Sequence, residues 1–200
     1  MNAPTPATPT TAGPTAAPTL AERLHGTPAP GVPRWAVRTA YAITLAVLPS
    51  CLWRIGGFVL GLPLLDHGPT PPDRDPASFD GGWAYILALS VVSEALAFLC
   101  FGLVARWGEV WPRRLPVLGG RPVPVLAAVV PAGLGSAALM VFPYAMVMFA
   151  QGLTIRGDRD GIVTHGWQTV VFWIGYLPLA AWGPLLAVLT VHYYRRRTAR

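Results

Sequence analysis

The sequence predicts an all-α integral membrane protein with four transmembrane helices, arranged as two antiparallel hairpins behind a disordered Pro/Thr/Ala-rich N-terminal tail. Three observations carry this prediction. Of the 200 residues, 53% are hydrophobic and only 12% charged, where a soluble domain carries about 25% charged residues. The apolar residues are gathered into four continuous runs rather than spread at the spacing of half-buried helices or strands. All fifteen basic side chains are arginine, and most of them stand beside those runs.

Residues 1–33, opening MNAPTPATPTTAGPTAAPTL, hold one acid, Glu22, and no apolar run. Such a segment cannot bury enough surface to offset chain entropy, so it is expected to be a disordered cytoplasmic tail. It lacks the basic start and short apolar stretch of a secretory signal peptide, so the first span is expected to stay as an anchor. Residues 34–200 then form the transmembrane domain, with spans at about 39–62, 83–104, 125–151 and 167–191. Each is long enough for a hydrocarbon core of about 30 Å, which takes roughly 20 helical residues. Continuous runs favour helices over a barrel, whose strands would alternate.

Orientation follows from arginine placement. Eleven arginines lie on one side: Arg23, Arg34 and Arg38 before span one, Arg106, Arg113, Arg114 and Arg121 after span two, and Arg195, Arg196, Arg197 and Arg200 in the tail. The loops after spans one and three hold Arg74, Arg156 and Arg159 together with six aspartates. Basic flanks stay inside, which is expected to place both termini in the cytoplasm. The same arginines suit anionic headgroups. Nucleic-acid binding is not expected, because it needs a basic face on a soluble fold.

Between spans two and three the chain reads ARWGEVWPRRLPVLGGRPVP. Here Trp107 and Trp111 are expected to anchor a loop at the interface, while Arg106, Arg113, Arg114 and Arg121 face lipid. The order WGE, PRR, PVLGGR and VP, from Trp107 to Pro124, resembles a loop of uncharacterised small multi-pass membrane proteins of high-GC Gram-positive bacteria. The resemblance implies a multi-pass protein of a bacterial plasma membrane and carries no activity with it.

Charges at membrane depth cost about 2.5 to 3.5 kcal/mol on insertion scales and need a reason. Arg54 in LPSCLWRIGGFVLGL and Glu94 in LALSVVSEALAFL are such charges. Their depths differ by roughly 5 Å at about 1.5 Å per residue, so an intramembrane ion pair between spans one and two is expected. Gly57 and Gly61 share a face with Arg54 and form a GxxxG that would admit a neighbouring backbone. Ser90, Glu94 and Ala97 offer the facing stripe.

The outer loops each contain Asp-Arg-Asp and end in Gly-Trp, which raises a duplicated hairpin. They also hold the weak metal candidates His67, Asp73, Asp75, Asp158, Asp160 and His165, residue types that suit a divalent ion. Solvated acidic turns are the plainer account, so no metal and no cofactor are expected. Cys51 and Cys100 lie inside spans and read as small packing residues. No HExxH, GxSxG, P-loop or GxGxxG motif is present, so no catalytic residue is assigned and an enzyme is not favoured. Three readings remain. The preferred one is a non-catalytic scaffold or accessory component, working with a membrane-protein partner or as a homodimer. The others are a small transporter or proton-linked carrier centred on Glu94 and Arg54, and a membrane enzyme using the acidic loops.

Overall fold

The computed structural model describes residues 26–64, 82–111, 119–158 and 166–199. Four helical stretches, Arg34–Val59, Gly82–Leu103, Val125–Ala150 and Trp167–Thr198, are long and apolar enough to cross a membrane. Among the described residues there is no strand, only isolated bridges at Pro28 with Ala105 and Val110 with Pro122.

Helix α1, Arg34–Arg54, starts directly after Pro33, whose extended backbone ends the preceding chain. It passes without a break into a π-helical turn, Ile55–Val59, closed by the Leu60 amide on the Ile55 carbonyl at 2.9 Å. Gly61 then takes a left-handed φ of +65° and stops the helix, a conformation that suits glycine because it has no Cβ. The expected Gly57/Gly61 groove is therefore not a helix face. Gly57 is buried, whereas a Cβ placed on Gly61 would meet nothing within 4 Å.

Helix α2, Gly82–Leu99, tightens into a 3-10 turn at Cys100–Leu103. Its buried face is a narrow line of small residues, Ser90, Ser93 and Ala97, which lets α1 approach closely. The Cys51 thiol donates to the Ser90 carbonyl at 3.7 Å, and the Tyr41 and Phe101 rings meet edge-on at 4.9 Å. These two contacts fix the register of α2 on α1.

The third span is two helices, α3 at Val125–Leu139 and α4 at Val141–Ala150. The break at Met140 falls where Pro143 cannot supply the amide that would bond the Leu139 carbonyl. The fourth span is also divided. Helix α5, Trp167–Tyr176, meets a 3-10 turn at Pro178–Ala181 that seats Leu179 in the core, and α6 runs from Trp182 to Thr198.

The core is built on α1, with Ala36, Ala40, Ile43 and Val47 against Phe101 of the second span and Leu179, Leu186, Leu189 and Tyr193 of the fourth. Half of the most apolar stretch of span one is buried in the bundle, against 6% for span three, which leans on α6. Residues 26–33 are not a free tail. The Ala29 amide bonds the Val104 carbonyl at 2.8 Å, the Arg106 amide bonds the Thr27 carbonyl at 3.1 Å, and Ala29 is buried. Residues 1–25 lie outside the described residues.

Candidate functional site

Two polar clusters interrupt the apolar bundle. The first lies where α1 meets α2 and α5. Arg54 is 7% exposed. Its Nε donates to Tyr176 Oη at 3.4 Å, and its guanidinium carbon sits 5.8 Å from the centre of the Tyr176 ring. Trp53 stands edge-on to Tyr176, Phe172 and Phe58 at 5.1, 5.8 and 5.8 Å, and Phe172 stacks on Tyr176 at 4.8 Å. The guanidinium thus meets one ring, Tyr176, which belongs to an aromatic cluster with Trp53, Phe172 and Phe58, immediately before the π-helical turn.

Glu94 is brought to the same helix interface and not to Arg54. Among the described residues, the ion pairs within 4.0 Å all involve Glu109. The Cys51–Ser90 contact explains the separation. Arg54 lies three residues beyond Cys51 toward the end of α1, and Glu94 lies four residues from Ser90 in the opposite sense. At about 1.5 Å per residue, their backbones stand roughly 10 Å apart along the bundle, twice the depth difference expected from sequence. The Cys51 thiol occupies the level between them, facing the Glu94 carboxyl. Four polar atoms of this region are buried without a hydrogen-bond partner: Trp53 Nε1, Arg54 Nη1, Ser90 Oγ and Glu94 Oε1. In a bilayer interior such atoms each cost about 1 to 3 kcal/mol unless something fills their bonding capacity.

The second cluster closes the end of the bundle that carries Arg34 and Arg195. Glu109, 7% exposed, meets Arg196 Nη2 at 2.6 Å and Arg197 Nη1 at 3.9 Å. Arg196 also donates to the Leu103 and Pro30 carbonyls at 3.4 and 3.5 Å, and Arg197 to the Val123 carbonyl at 2.8 Å. Both guanidinium groups lie about 6 Å from the ring of the fully buried Tyr193 (5.7 and 5.9 Å). One carboxylate therefore ties α6 to the chain before α1, to the end of span two and to the start of span three. Sequence reasoning gave all the tail arginines to lipid and assigned Glu109 no role. The signal was present: Glu109 is the sole acid between Glu94 and Asp158, in a stretch holding five arginines.

The remaining candidates divide by position. Arg106 and Arg121 are exposed, as are Arg34, Arg38 and Arg195. Trp107 is packed rather than presented, stacked on Phe98 at 5.9 Å and pressed on Gly102. Trp111 is half-buried, and its amide bonds the Arg121 carbonyl at 3.0 Å. Arg113 and Arg114 lie outside the described residues, as do His67, Asp73, Asp75, Asp160 and His165. Asp158 is exposed in a turn, where its amide bonds Thr154 Oγ1 at 3.1 Å. Among the described residues no group of three or more His, Cys, Asp or Glu side chains is placed to hold a metal.

These features define a class: a small bundle of four membrane-length helices with a polar layer inside and a carboxylate–arginine clasp at its basic end. Comparison with protein-family models, with curated proteins and with solved structures gives no match.

Proposed function

We propose that this is a multi-pass protein of the bacterial plasma membrane that takes a small polar solute at the Arg54 layer and carries it, with Glu94 as the proton-exchanging group. The observation that supports it is the burial of four unpartnered polar atoms where α1, α2 and α5 meet. A pair kept only for register would close on itself. Arg54 and Glu94 instead stand apart, each with bonding capacity to spare. Among the described residues Arg54 bonds Tyr176 and no carboxylate stands within 4.0 Å of its charge. A charge held so at membrane depth is the mark of a transport or relay position.

The arginine asymmetry supports cytoplasmic termini, and the contacts of span one with two and of three with four support paired hairpins. Exposed Arg34, Arg38, Arg106, Arg121 and Arg195 suit anionic headgroups at that surface. Proton movement tests the carrier reading. The chain is reconstituted in liposomes loaded with a pH-sensitive dye, and a pH gradient is imposed in the presence of a small-solute panel. Wild type is expected to dissipate the gradient faster than empty liposomes, and Glu94→Gln to behave like them. Equal rates for wild type and empty liposomes would remove the reading.

A second reading, an accessory component in contact with a membrane-protein partner or a second copy, is favoured by the third span. Only 6% of its most apolar stretch is covered within the bundle.

A further inference from the structure

We infer that the ligand of the Arg54 layer is a small monoanion with an apolar body, a monocarboxylate; this rests on the reading of that layer as a solute site. Donor chemistry comes first. Arg54 Nη1 and Trp53 Nε1 are buried without partners, and both atoms can only donate. Tyr176 Oη accepts from Arg54 Nε, which leaves its own hydrogen to give. The layer is supplied with donors and asks for an acceptor.

Charge narrows the class. Among the described residues Arg54 is the one cation at this depth, more than nine-tenths buried, and no carboxylate of those residues lies within 4.0 Å of it. A singly charged ligand balances it. A phosphate monoester, at about −1.5 to −2, would leave charge uncompensated in a medium of low dielectric. Because Nε is engaged by Tyr176, the guanidinium offers its terminal end, where Nη1 is buried and unpartnered, and a planar guanidinium matches a carboxylate there.

Shape supplies the apolar body. Tyr176, whose ring lies 5.8 Å from the guanidinium carbon, gives the layer an aromatic wall, and that ring is continuous with the cluster of Trp53, Phe172 and Phe58. The π-helical turn that follows Arg54 widens the backbone there, a departure common at working sites. Glu94 sits one level away and is left to exchange a proton rather than to neutralise Arg54. The acid can come from two sources, water or the bilayer, and the chemistry at Arg54 is shared by both.

Unfolding midpoints of the purified full chain in uncharged detergent test this, with benzoate, octanoate or benzylamine added at matched millimolar concentrations. Benzoate, octanoate or both are expected to raise the midpoint saturably in wild type. The benzoate arm alone assigns a soluble acid, and the octanoate arm alone a bilayer acid. Tyr176→Phe is expected to bind roughly five- to tenfold more weakly, the loss of one hydrogen bond. Arg54→Gln is expected to abolish the shift. Should that variant not fold, Arg54→Lys keeps the charge without the planar fork, and the shift is expected to fall sharply there too. A carboxylate shift that survives both arginine substitutions, or an equal shift with benzylamine, overturns the proposal. No carboxylate shift alongside Glu94-dependent proton movement in liposomes overturns this inference and leaves the carrier reading standing; the absence of both removes both.

Discussion

At Glu109 the two arginines it holds are unequal partners: Arg196 is in direct contact at 2.6 Å and Arg197 stands off at 3.9 Å, donating its better hydrogen bond to the Val123 carbonyl. Removing one member of a buried pair strands the other charge, at a cost of about 3 to 5 kcal/mol. Glu109→Gln is therefore expected to lower stability by about that much in a mixed-detergent unfolding titration. Arg197→Met should cost less than Arg196→Met, and equal losses would mean that the clasp is a shared charge cloud rather than a directed contact. Next to it, Gly108 has no room for a side chain, because a Cβ there would run into the Gly102 backbone. Backbone atoms cannot give way as a flexible side chain can. Gly108→Ala is expected to force the Arg106–Gly108 turn off span two, seen as increased protease cleavage near that turn. The pattern WGE was conspicuous in the sequence, but the reason for its glycine was not, since it depends on a backbone that arrives from six residues earlier. The same holds for Arg54. Its burial at membrane depth was legible from the run around it, whereas its partner Tyr176 lies 122 residues away, and no periodicity links the two.

Among the elements, the sequence disclosed where apolar chain accumulates and left the helix ends to local chemistry. Spans two and four begin within a residue of their expected starts, because tryptophan and glycine mark those ends plainly. Span one begins five residues earlier than expected, at Arg34, and α6 continues seven residues past Val191 through its arginines. Hydropathy does not sense either extension, but a helix does: Pro33 fits just before the first turn, and basic side chains in the last turn favour its dipole. The breaks at Met140 and Pro178 bring the third and fourth spans together at Gly183. Ser136 Oγ donates to the Gly183 carbonyl at 2.9 Å, and a Cβ on Gly183 would sit 3.0 Å from the Leu139 carbonyl carbon. Gly183→Leu is expected to pry α3 from α6 while leaving the contact of spans one and two intact. Cysteine pairs engineered at the two interfaces check it: cross-linking should fall sharply between spans three and four and stay unchanged between one and two.

For the whole molecule, the distribution of burial argues for a rigid three-span core with one span at its margin. Spans one, two and four share the apolar core and both polar clusters, whereas span three touches mainly α6. Apolar surface gives no drive for helices to associate within lipid, so span three is held by its close, extended packing along α6 and by the Ser136–Gly183 hydrogen bond, with its other faces left open. Such a span is the part of the bundle free to meet another protein. Leu134 lies on its outward face, 68% exposed, and the native cysteines Cys51 and Cys100 are buried. A Leu134→Cys variant in native membranes is therefore a clean probe. If span three faces a second copy, mild oxidation gives a disulfide dimer that Leu134→Cys forms and wild type does not. If it faces lipid alone, the introduced thiol stays monomeric while reacting with a membrane-permeant maleimide. The first result would make the protein an assembly of two bundles, with span three as the seam between them. The second would leave the polar layer to the three-span core, where Arg54 bonds Tyr176 and Glu94 stands one level away without help from span three.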